Sequence, residues 1–404
     1  MQMYLLALNP TDSVTEGFLP AARRLGLAVT VLTDTPAAHR AVGGDAYAGV
    51  EVLECDVRDF RAVVSRVSAH RRPDAVFSNS DHLQAQTALA AAYFGLPAKD
   101  WRAALRTKDK AEMRRCLAAA DLPAGVAVRA AEVPAGQDPA TVLASADIPF
   151  PCVVKPREGV ASEDVVLVGE HAELIARCAE IRSRRPGEAL VVEEFLPGTL
   201  HTLETLGDGA VRRVLGGFRT RLSAPPYFIE ERLTWEPGLP AAAVAEVLAQ
   251  LDALGVGFGA CHTEFVLSDG RARVVEVNYR AIGDQCDLLL ADLLAVPLFE
   301  WILRVHLGER LPADPWPAPA ATGCLSYPYA RTPGTLTAAP GPEDLDVDGV
   351  RLAYRPLRAI GTRRPVHHTN RDLLGVVRAL GPDRPAVDRA VDAFVAARTW
   401  EITP

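Results

Sequence analysis

Two short strands on either side of Asp269-Gly270 constrain this chain more than any other feature. Apolar residues alternate with polar ones before and after this dipeptide, and an Asp-Gly pair between two such runs is typical of a β-hairpin. Glu264 and Glu276 each lie six residues from Gly270, so a hairpin paired about that glycine places the two carboxylates opposite each other. Side chains alternate along a strand, so Asn278 and Arg280 are predicted to share that face.

This predicted face is chemically unusual. Two carboxylates and an amide oxygen repel one another unless a cation neutralises them, and hard oxygen ligands of this kind suit Mg²⁺, with Mn²⁺ as the alternative. Acidic residues on a hairpin more often form a solvated surface, which is the competing interpretation. The apolar alternate positions and Gly283, which lets the chain turn close to a ligand, favour a metal or phosphate site. The predicted metal ligands are therefore Glu264, Glu276 and Asn278.

Composition limits the class of protein. A chain of 404 residues is too long for one ordinary core and predicts two to three domains. A net charge of −8 argues against nucleic acid as the main partner, because phosphate backbones need a basic face. The seven cysteines stand singly, as reduced thiols rather than as a zinc site. With no secretory leader or long apolar run apparent, no membrane partner is predicted and the expected location is cytoplasmic.

The first hundred residues alternate between strand-like and helix-like patterns. Strands are predicted over 4–8, 28–32 and 74–77, and helices over 13–25 and 83–94. Strands separated by helices pair in parallel with right-handed crossovers, which predicts a doubly wound α/β domain. The turn after the first strand lacks the glycines of a dinucleotide site, and the polar residues at 78–81 are interpreted as a turn that could also touch substrate.

The next part of the chain has an α+β pattern. A helix is predicted from Lys110 to residue 121, and residues 125–195 read as a compact unit of strands and two helices that could form a mobile lid. Lys155 ends an apolar strand and is followed by a polar loop, where a lysine could hold a phosphate as a point charge. A solvated surface lysine is the alternative.

Taken together, these pieces resemble the ATP-grasp superfamily. The resemblance covers nearly the whole chain: an N-terminal α/β domain, Lys110 in Lys-Asp-Lys, Lys155 in Val-Val-Lys-Pro, the linker Glu193-Glu194-Phe195-Leu196-Pro197-Gly198, and then the His-Thr-Glu-Phe and Glu-Val-Asn-Tyr-Arg strands. It implies an α/β and α+β protein with the ATP-grasp fold. The implied units are a doubly wound parallel domain (1–108), a lid subdomain (109–198), a catalytic subdomain with an antiparallel sheet (199–320) and a closing subdomain (321–404).

The resemblance also implies a role for each motif residue. Lys110 and Lys155 would contact the phosphates of ATP, while Glu193 and the backbone of Glu194 and Leu196 would hold adenine. Glu264, Glu276 and Asn278 would carry magnesium between the β- and γ-phosphates. Glu276 and Arg280 would be catalytic, with Arg280 placing fixed positive charge where negative charge develops.

Three departures from the family pattern change these expectations. The loop 157–164 has a single glycine, so phosphate coverage is expected to rely on Ser162 or Arg157. No acid follows Pro197-Gly198, so ribose contact falls to Glu204 or His201, and Arg219 is expected to add a phosphate or carboxylate contact or else a structural salt bridge. Tyr279 replaces the usual proline between Asn278 and Arg280, on the side away from the metal.

Within the superfamily the chain looks most like carboxylate–amine ligases, including L-amino acid ligases and siderophore-associated relatives. That resemblance implies an amide-forming ligase for specialised metabolites or siderophores, which acts through an acyl phosphate and releases ADP and phosphate. The alternatives are a biotin-carboxylase-like enzyme that activates bicarbonate or another carboxylate, and a non-catalytic nucleotide-binding module. Small-molecule acid and amine substrates are the expected partners, and a homodimer is compatible with the sequence.

Overall fold

The computed structural model of the protein describes residues 1–42 and 45–404. The strands are β1 Gln2–Leu6, β2 Ala28–Thr33, β3 Glu51–Glu54, β4 Ala75–Phe77, β5 Ala130–Val133, β6 Cys152–Pro156, β7 Val166–Val168, β8 Leu190–Glu194, β9 Thr199–Asp208, β10 Arg212–Gly216, β11 Phe218–Leu222, β12 Glu230–Trp235, β13 Phe258–Ser268, β14 Arg271–Asn278, β15 Thr322–Ser326, β16 Gly334–Ala338, β17 Glu343–Val347, β18 Val350–Pro356, β19 Arg363–Arg364, β20 Gly375–Gly381 and β21 Glu401–Thr403. The α-helices are α1 Leu19–Arg24, α2 Pro36–Arg40, α3 Phe60–Ser68, α4 Gln84–Tyr93, α5 Trp101–Lys108, α6 Lys110–Ala119, α7 Pro139–Leu143, α8 His171–Arg184, α9 Ala241–Leu254, α10 Cys286–Leu294, α11 Leu298–His306 and α12 Arg384–Ala396.

The N-terminal sheet is parallel, in the order β3-β2-β1-β4. Its central strand β1 is buried along its whole length, as expected for a parallel strand covered by helices on both faces. The predicted helix at 13–25 begins as π-helix over Ser13–Phe18 and continues as α1. The doubly wound arrangement predicted from the alternating pattern is confirmed.

The segment predicted to be the lid contains a second, antiparallel sheet of four strands in the order β5-β8-β6-β7. Helix α8 covers one face of it because Leu174, Cys178 and Ile181 recur at helical spacing and are buried. They pack against Val154 and Val192 of the central strands. Lys155 lies on β6, which pairs with β8 on one side and β7 on the other.

A third sheet has ten strands and forms the centre of the molecule. Nine strands follow the order β14-β13-β9-β11-β12-β15-β20-β18-β17, and β10 pairs with β9. Strands β12 and β15 pair at Thr234 and Cys324, so this sheet runs without a break across residue 320, where a subdomain boundary was predicted. A small sheet in the order β19-β16-β21 closes the C-terminal part.

The hairpin β13–β14 lies at one edge of the ten-stranded sheet. One of its faces is covered by helices α6 and α9, with Met113, Val247 and Leu251 packed on Phe265 and Val277. The opposite face turns toward a large cavity, which His262, Glu264 and Val266 of β13 line. Across the described ranges 1–42 and 45–404, no helix combines the length and the apolar character needed to cross a membrane.

Candidate functional site

The predicted pairing of the two glutamates is present in the structure. Glu264 lies directly opposite Glu276, and His262 lies opposite Asn278. The turn is a two-residue one, because Asp269 and Gly270 both have positive φ, and Ser268 pairs with Arg271.

A two-residue turn alone would have placed Glu264 opposite Val275 rather than Glu276. An irregularity in the register between Glu264 and Phe265 leaves Val275 as an extra residue and restores the pairing of Glu264 with Glu276. Val275 and Glu276 both line the cavity, as neighbouring side chains at a bulge can. The bulge therefore directs Glu276 into the cavity. The predicted pairing of Glu264 with Glu276 is correct, but it arises from this bulge and not from a hairpin centred on Gly270.

We call Glu264, Glu276 and Asn278 the acidic face. His262 lies beside it, with Nδ1 2.8 Å from Glu204 Oε1 and Nε2 3.5 Å from Glu264 Oε1. Burial works against the charged imidazole, but the carboxylates of Glu204 and Glu264 raise the pKa of His262 to about 10. Burial also opposes the charged form of Glu264 and by itself would raise its pKa. The hydrogen bond and the charge of His262 outweigh burial and lower the pKa of Glu264.

A further carboxylate shows how negative this region is. Glu230 begins β12 and lines the same cavity. Burial, together with the charges of Glu264 and Asp284, raises its pKa to about 8. The negative charges of Glu264 and Asp284 thus disfavour ionisation of Glu230, and a bound cation would offset this repulsion.

Lys110 comes from helix α6 and reaches the acidic face. Its Nζ donates to the carbonyl oxygen of Gly159 at 3.0 Å and lies 3.5 Å from Glu276 Oε2. Asp109 is the N-cap of α6, accepting from the backbone of Ala111 and Glu112, so the first residue of the helix is held in place. Lys110 thus bridges the loop after β6 and the hairpin.

Lys155 belongs to a second group, the paired cluster of Arg114, Lys155 and Glu193. Lys155 Nζ lies 2.8 Å from Glu193 Oε2, and Arg114 makes two parallel bonds of 2.8 Å to the same carboxylate. Glu193 and Lys155 are diagonal neighbours on strands β8 and β6, because Val153 is the residue opposite Glu193. Burial opposes ionisation of Glu193, but Arg114 and Lys155 outweigh it and lower its pKa to about 2.

Arg114 was not predicted. It follows Lys110 by four residues on α6, and both side chains are buried, so the helical spacing was the available signal. Besides Glu193, it donates to the carbonyl oxygens of Val274 and Val275, at 2.7 and 3.2 Å. Arg114 therefore fastens the lid strand β8 to the hairpin at the bulge.

The loop after Lys155 approaches the cavity with Ser162 but not with Arg157. Ser162 lines the cavity and has a positive φ, as do Ala161 and Asp164. The guanidinium of Arg157 is instead bound to Asp109 and Glu132, with Nε 2.8 Å from both carboxylate oxygens of Asp109. The expectation that Arg157 covers phosphate is corrected accordingly, since its side chain orders the start of α6.

The cavity that joins these residues has a volume of about 1230 Å³. It lies between the lid, the ten-stranded sheet and the N-terminal domain. Most of the residues predicted for the site line it: Lys110, Lys155, Ser162, Glu193, Glu194, Leu196, Arg219, Glu264, Glu276, Asn278 and Arg280. Arg280 follows the acidic face and donates to the carbonyl oxygen of Ala281 at 2.8 Å.

The two residues proposed for ribose are placed elsewhere. His201 stacks on Phe265 with ring centroids 5.7 Å apart, and burial lowers its pKa. Glu204 is 2% exposed and holds His262. Neither is among the described residues that line the cavity, so neither is retained as a ribose ligand. Thr199 and Leu200, just beyond the linker, line it instead.

Glu194 and Leu196 lie on the linker between the lid and the ten-stranded sheet. The side chain of Glu194 accepts from the backbone of Arg129 at 2.9 Å, so its carboxylate has a structural partner. Gly198 allows the linker to pass very close to β13, since a Cβ there would lie 2.5 Å from the carbonyl oxygen of Leu267. Apolar side chains that sequence reasoning did not assign to the site flank this linker in the cavity wall: Val153, Val266 and Val275.

Residues from both ends of the chain complete the wall. The N-terminal domain contributes Asn79 and Asp81, and the amide oxygen of Asn79 accepts from the backbone of Ala281 at 3.0 Å. The C-terminal part contributes Asn370 and Arg371. Asn370 accepts from the backbone of Glu230 and donates to Ala161, and Arg371 pairs with Glu163 at 2.6 Å. These contacts join sequence positions too far apart for local patterns to reveal.

Comparison with known proteins gives the same architecture. The family model described as an ATP-grasp domain matches residues 148–288. An L-amino acid ligase from Bacillus licheniformis superposes with a TM-score of 0.82 at 19% identity, over 100% of this chain and 99% of that one. The chain has the ATP-grasp fold. A biotin carboxylase from Campylobacter jejuni, in a complex with β-γ-ATP, also has this fold, with a TM-score of 0.71 at 14% identity over 99% and 92% of the two chains.

One curated relative matches in sequence. It is the uncharacterized protein y4rH of Sinorhizobium fredii (strain NBRC 101917 / NGR234), 27% identical over 424 residues, which cover 100% of this chain and 84% of that protein. The ATP-grasp domain of residues 148–288 contains Lys155, the linker and the whole acidic face. The ATP-grasp resemblance seen in the sequence is therefore confirmed as a domain match for residues 148–288 and as the fold of the whole chain.

Proposed function

We propose that the protein is an ATP-dependent carboxylate–amine ligase that forms an amide bond through an acyl phosphate. The observation that carries this proposal is the acidic face. Glu264 and Glu276 lie opposite each other across the hairpin, and Arg280 follows them at a cavity of about 1230 Å³. The similarity to an L-amino acid ligase over the full length of both chains supports amide formation over other uses of the fold.

The donor set fits Mg²⁺. Glu264 and Glu276 contribute two carboxylates and Asn278 an amide oxygen, and Mg²⁺ in nucleotide sites is commonly held by one or two carboxylates together with phosphate oxygens. The described residues contain no cluster of three or more His, Cys, Asp or Glu suited to a metal, so the proposed set consists of two carboxylates and one amide oxygen. When bound there, Mg²⁺ or Mn²⁺ would neutralise charge on the phosphoryl group in transfer.

Nucleotide binding follows from the other walls of the cavity. Lys110 and Lys155 would contact the phosphates, with Ser162 and its neighbouring backbone covering them from the loop. The backbone of Glu194 and Leu196 would hold the edge of adenine, and Val153, Val266 and Val275 would flank its ring. Glu193 would act indirectly, since its carboxylate is held by Arg114 and Lys155.

The reaction has two steps. A substrate carboxylate oxygen attacks the γ-phosphorus of ATP, the bond to the β-phosphate oxygen breaks, and ADP leaves. The amine nitrogen then attacks the acyl carbon, loses a proton, and expels inorganic phosphate as the carbon–oxygen bond breaks. Arg280 would bind the acyl phosphate and the tetrahedral intermediate, where its fixed charge opposes the developing negative charge. Positioning and charge neutralisation account for the catalysis, and no covalent protein intermediate is needed.

Product analysis by mass spectrometry tests the proposal. The purified protein is incubated with Mg-ATP and pools of amino acids, polyamines and hydroxy acids, with Glu276→Gln as the matched inactive control. Formation of ADP, phosphate and a new amide mass by the wild type alone is the expected result. ADP that forms only with bicarbonate, or an amide that forms equally with the variant, would overturn it.

A further inference from the structure

A buried lysine outside the ATP site contacts the segment that carries Arg280. Lys99 lies between α4 and α5 and is 7% exposed. Its Nζ donates to the side-chain oxygen of Gln84 at 2.7 Å and to the carbonyl oxygen of Tyr279. The same nitrogen lies 4.5 Å from the centroid of the Tyr279 ring.

Gly259 makes room for this lysine. It has a φ of +73°, and a Cβ at that position would lie 2.8 Å from Lys99 Cε. The start of β13 is therefore shaped to let the lysine pass toward Tyr279. Any other residue at position 259 would both collide with Lys99 and be disfavoured at this φ, so the position of the lysine depends on this glycine.

The segment held by Lys99 has little regular structure of its own. Strand β14 ends at Asn278, and the next turn is closed by a 2.7 Å bond from the backbone N–H of Arg280 to the carbonyl oxygen of Asn278. Beyond it, Ala281 donates to the side chain of Asn79. Two of the side chains that anchor this segment, Lys99 and Asn79, thus belong to the first hundred residues of the chain.

Tyr279 is the other half of this arrangement. Its ring is 1% exposed and lies in the core beneath the hairpin, and its hydroxyl accepts from the backbone of Gly257 and Phe258 at 3.2 and 3.1 Å. This position is where the chain departs from the proline expected of its family. Lys99 contacts both the ring and the carbonyl group of Tyr279, the residue that replaces this proline.

We propose that Lys99 is a positioning residue, which fixes the carbonyl group of Tyr279 and thereby sets Arg280 at the reacting phosphoryl and acyl groups. The role attributed to Arg280 rests on the proposed function. The N-terminal domain, through Lys99 and Asn79, then determines the geometry of a catalytic group carried by the ATP-grasp module.

The cost of burying Lys99 also indicates that its contacts with Gln84 and Tyr279 are specific. Burial, the largest cause, lowers the pKa of Lys99 to about 7, with the nearby charge of Arg280 acting in the same direction. Burying such a group disfavours folding unless its donors are bonded. The side-chain oxygen of Gln84 and the carbonyl oxygen of Tyr279 accept two of these N–H donors, and the third direction faces the Tyr279 ring.

The test compares Lys99→Met with His306→Leu. Methionine keeps the length of the side chain and removes the donor. His306 lines the same small internal cavity as Lys99, and its two ring nitrogens have no hydrogen-bond partner among the described residues. His306→Leu therefore controls for a change of polarity at this place, and it is expected to keep the activity of the wild type.

For Lys99→Met we expect kcat to fall at least thirtyfold, while the Kd for Mg-ATP by calorimetry changes less than threefold. Lys99→Gln, which restores a donor, is expected to recover part of kcat. A kcat within twofold of the wild type, an equal loss in His306→Leu, or a loss confined to Mg-ATP affinity would overturn the proposal.

Hydrogen–deuterium exchange separates this proposal from the proposed function. Amides of residues 279–283 are expected to exchange at least tenfold faster in Lys99→Met than in the wild type or His306→Leu. This readout needs no substrate, so a failure to find ligase activity leaves it intact. Unchanged exchange in Lys99→Met would overturn the positioning role even in an active ligase.

Discussion

The paired cluster and the acidic face both gather charge at the same cavity, yet they differ in how that charge is satisfied. In the paired cluster, Glu193 has two cations within 2.8 Å, and burial is compensated. In the acidic face, Glu264 and Glu276 stand opposite each other with their cations, His262 and Lys110, each 3.5 Å away. The comparison teaches that a closely paired carboxylate such as Glu193 has its charge satisfied by the fold, whereas the loosely paired carboxylates of the acidic face are available to a cation.

This difference leads us to expect that the two regions fail in different ways. Removing one member of a satisfied buried pair leaves its partners uncompensated and destabilises the fold. Removing one carboxylate from a crowded acidic face relieves repulsion, so it should impair chemistry and leave the fold intact. The following variants test that contrast, from the largest expected effect to the smallest.

Glu276→Gln should lower the rate of ADP formation about a thousandfold, or about 4 kcal/mol of transition-state stabilisation. The amide keeps the shape of the side chain but removes a charge that would hold the metal. Coupled-enzyme measurement of ADP, together with thermal unfolding, checks this expectation. Glu309→Gln, in an exposed pair with Arg304, is the control that should leave both unchanged. Normal turnover in Glu276→Gln would show that the acidic face is not the metal site.

Glu193→Gln should destabilise the protein by about 3 kcal/mol at pH 7, because Arg114 and Lys155 lose their buried counter-charge. The pKa of Glu193 is lowered to about 2 in the folded state, against 4.5 without the fold. The stabilisation is therefore complete above pH 4.5 and lost as the pH falls toward 2.

Urea unfolding at a series of pH values measures this effect. The difference in the free energy of unfolding between the wild type and Glu193→Gln should be constant from pH 7 to about 5. It should become smaller below that pH. A difference that does not change with pH would mean that the carboxylate charge is not what the paired cluster contributes.

Arg280→Ala should lower the rate of ligation about a hundredfold, or about 2.7 kcal/mol, with little change in ATP affinity. Its guanidinium lies beyond the acidic face and is free of the paired cluster, so the fold should be unaffected. Calorimetric titration with Mg-ATP beside steady-state kinetics separates the two effects. Equal loss of binding and ligation would instead assign Arg280 to nucleotide anchoring.

Arg371→Ala should have the smallest effect. The pair with Glu163 joins the C-terminal part to the loop after β6, which is proposed to cover the phosphates, but Arg371 is 55% exposed in its side chain. Exposed pairs contribute about 0.5 kcal/mol, so stability should barely change, while KM for ATP rises by about threefold as the loop loosens. Arg304→Ala, on an exposed pair elsewhere, is the control for nonspecific loss of charge. A stability loss of several kcal/mol would instead show that the Arg371–Glu163 pair stabilises the fold as strongly as the paired cluster does.

Much of the fold could be predicted because it depends on local patterns. The strand–helix alternation of the first hundred residues, the lid strands and the Asp269-Gly270 turn each follow from periodicity or turn chemistry within a few residues. The candidate site was predicted less completely. His201 was expected at the ribose, but strand alternation turns its ring onto Phe265. Arg157 was expected at the phosphates, but Asp109 and Glu132 hold it.

The sequence by itself determined the order of the elements, the hairpin and the residue types that its exposed face would present. Only the tertiary structure decided which charges are paired, because Lys155 meets Glu193 through the register of two strands that the chain connects by α8. It also decided that the bulge at Val275 aims Glu276 and that Lys99 reaches Tyr279. The physical reason is range: backbone preferences act over a few residues, whereas burial and pairing of charge are set by neighbours that only folding brings together.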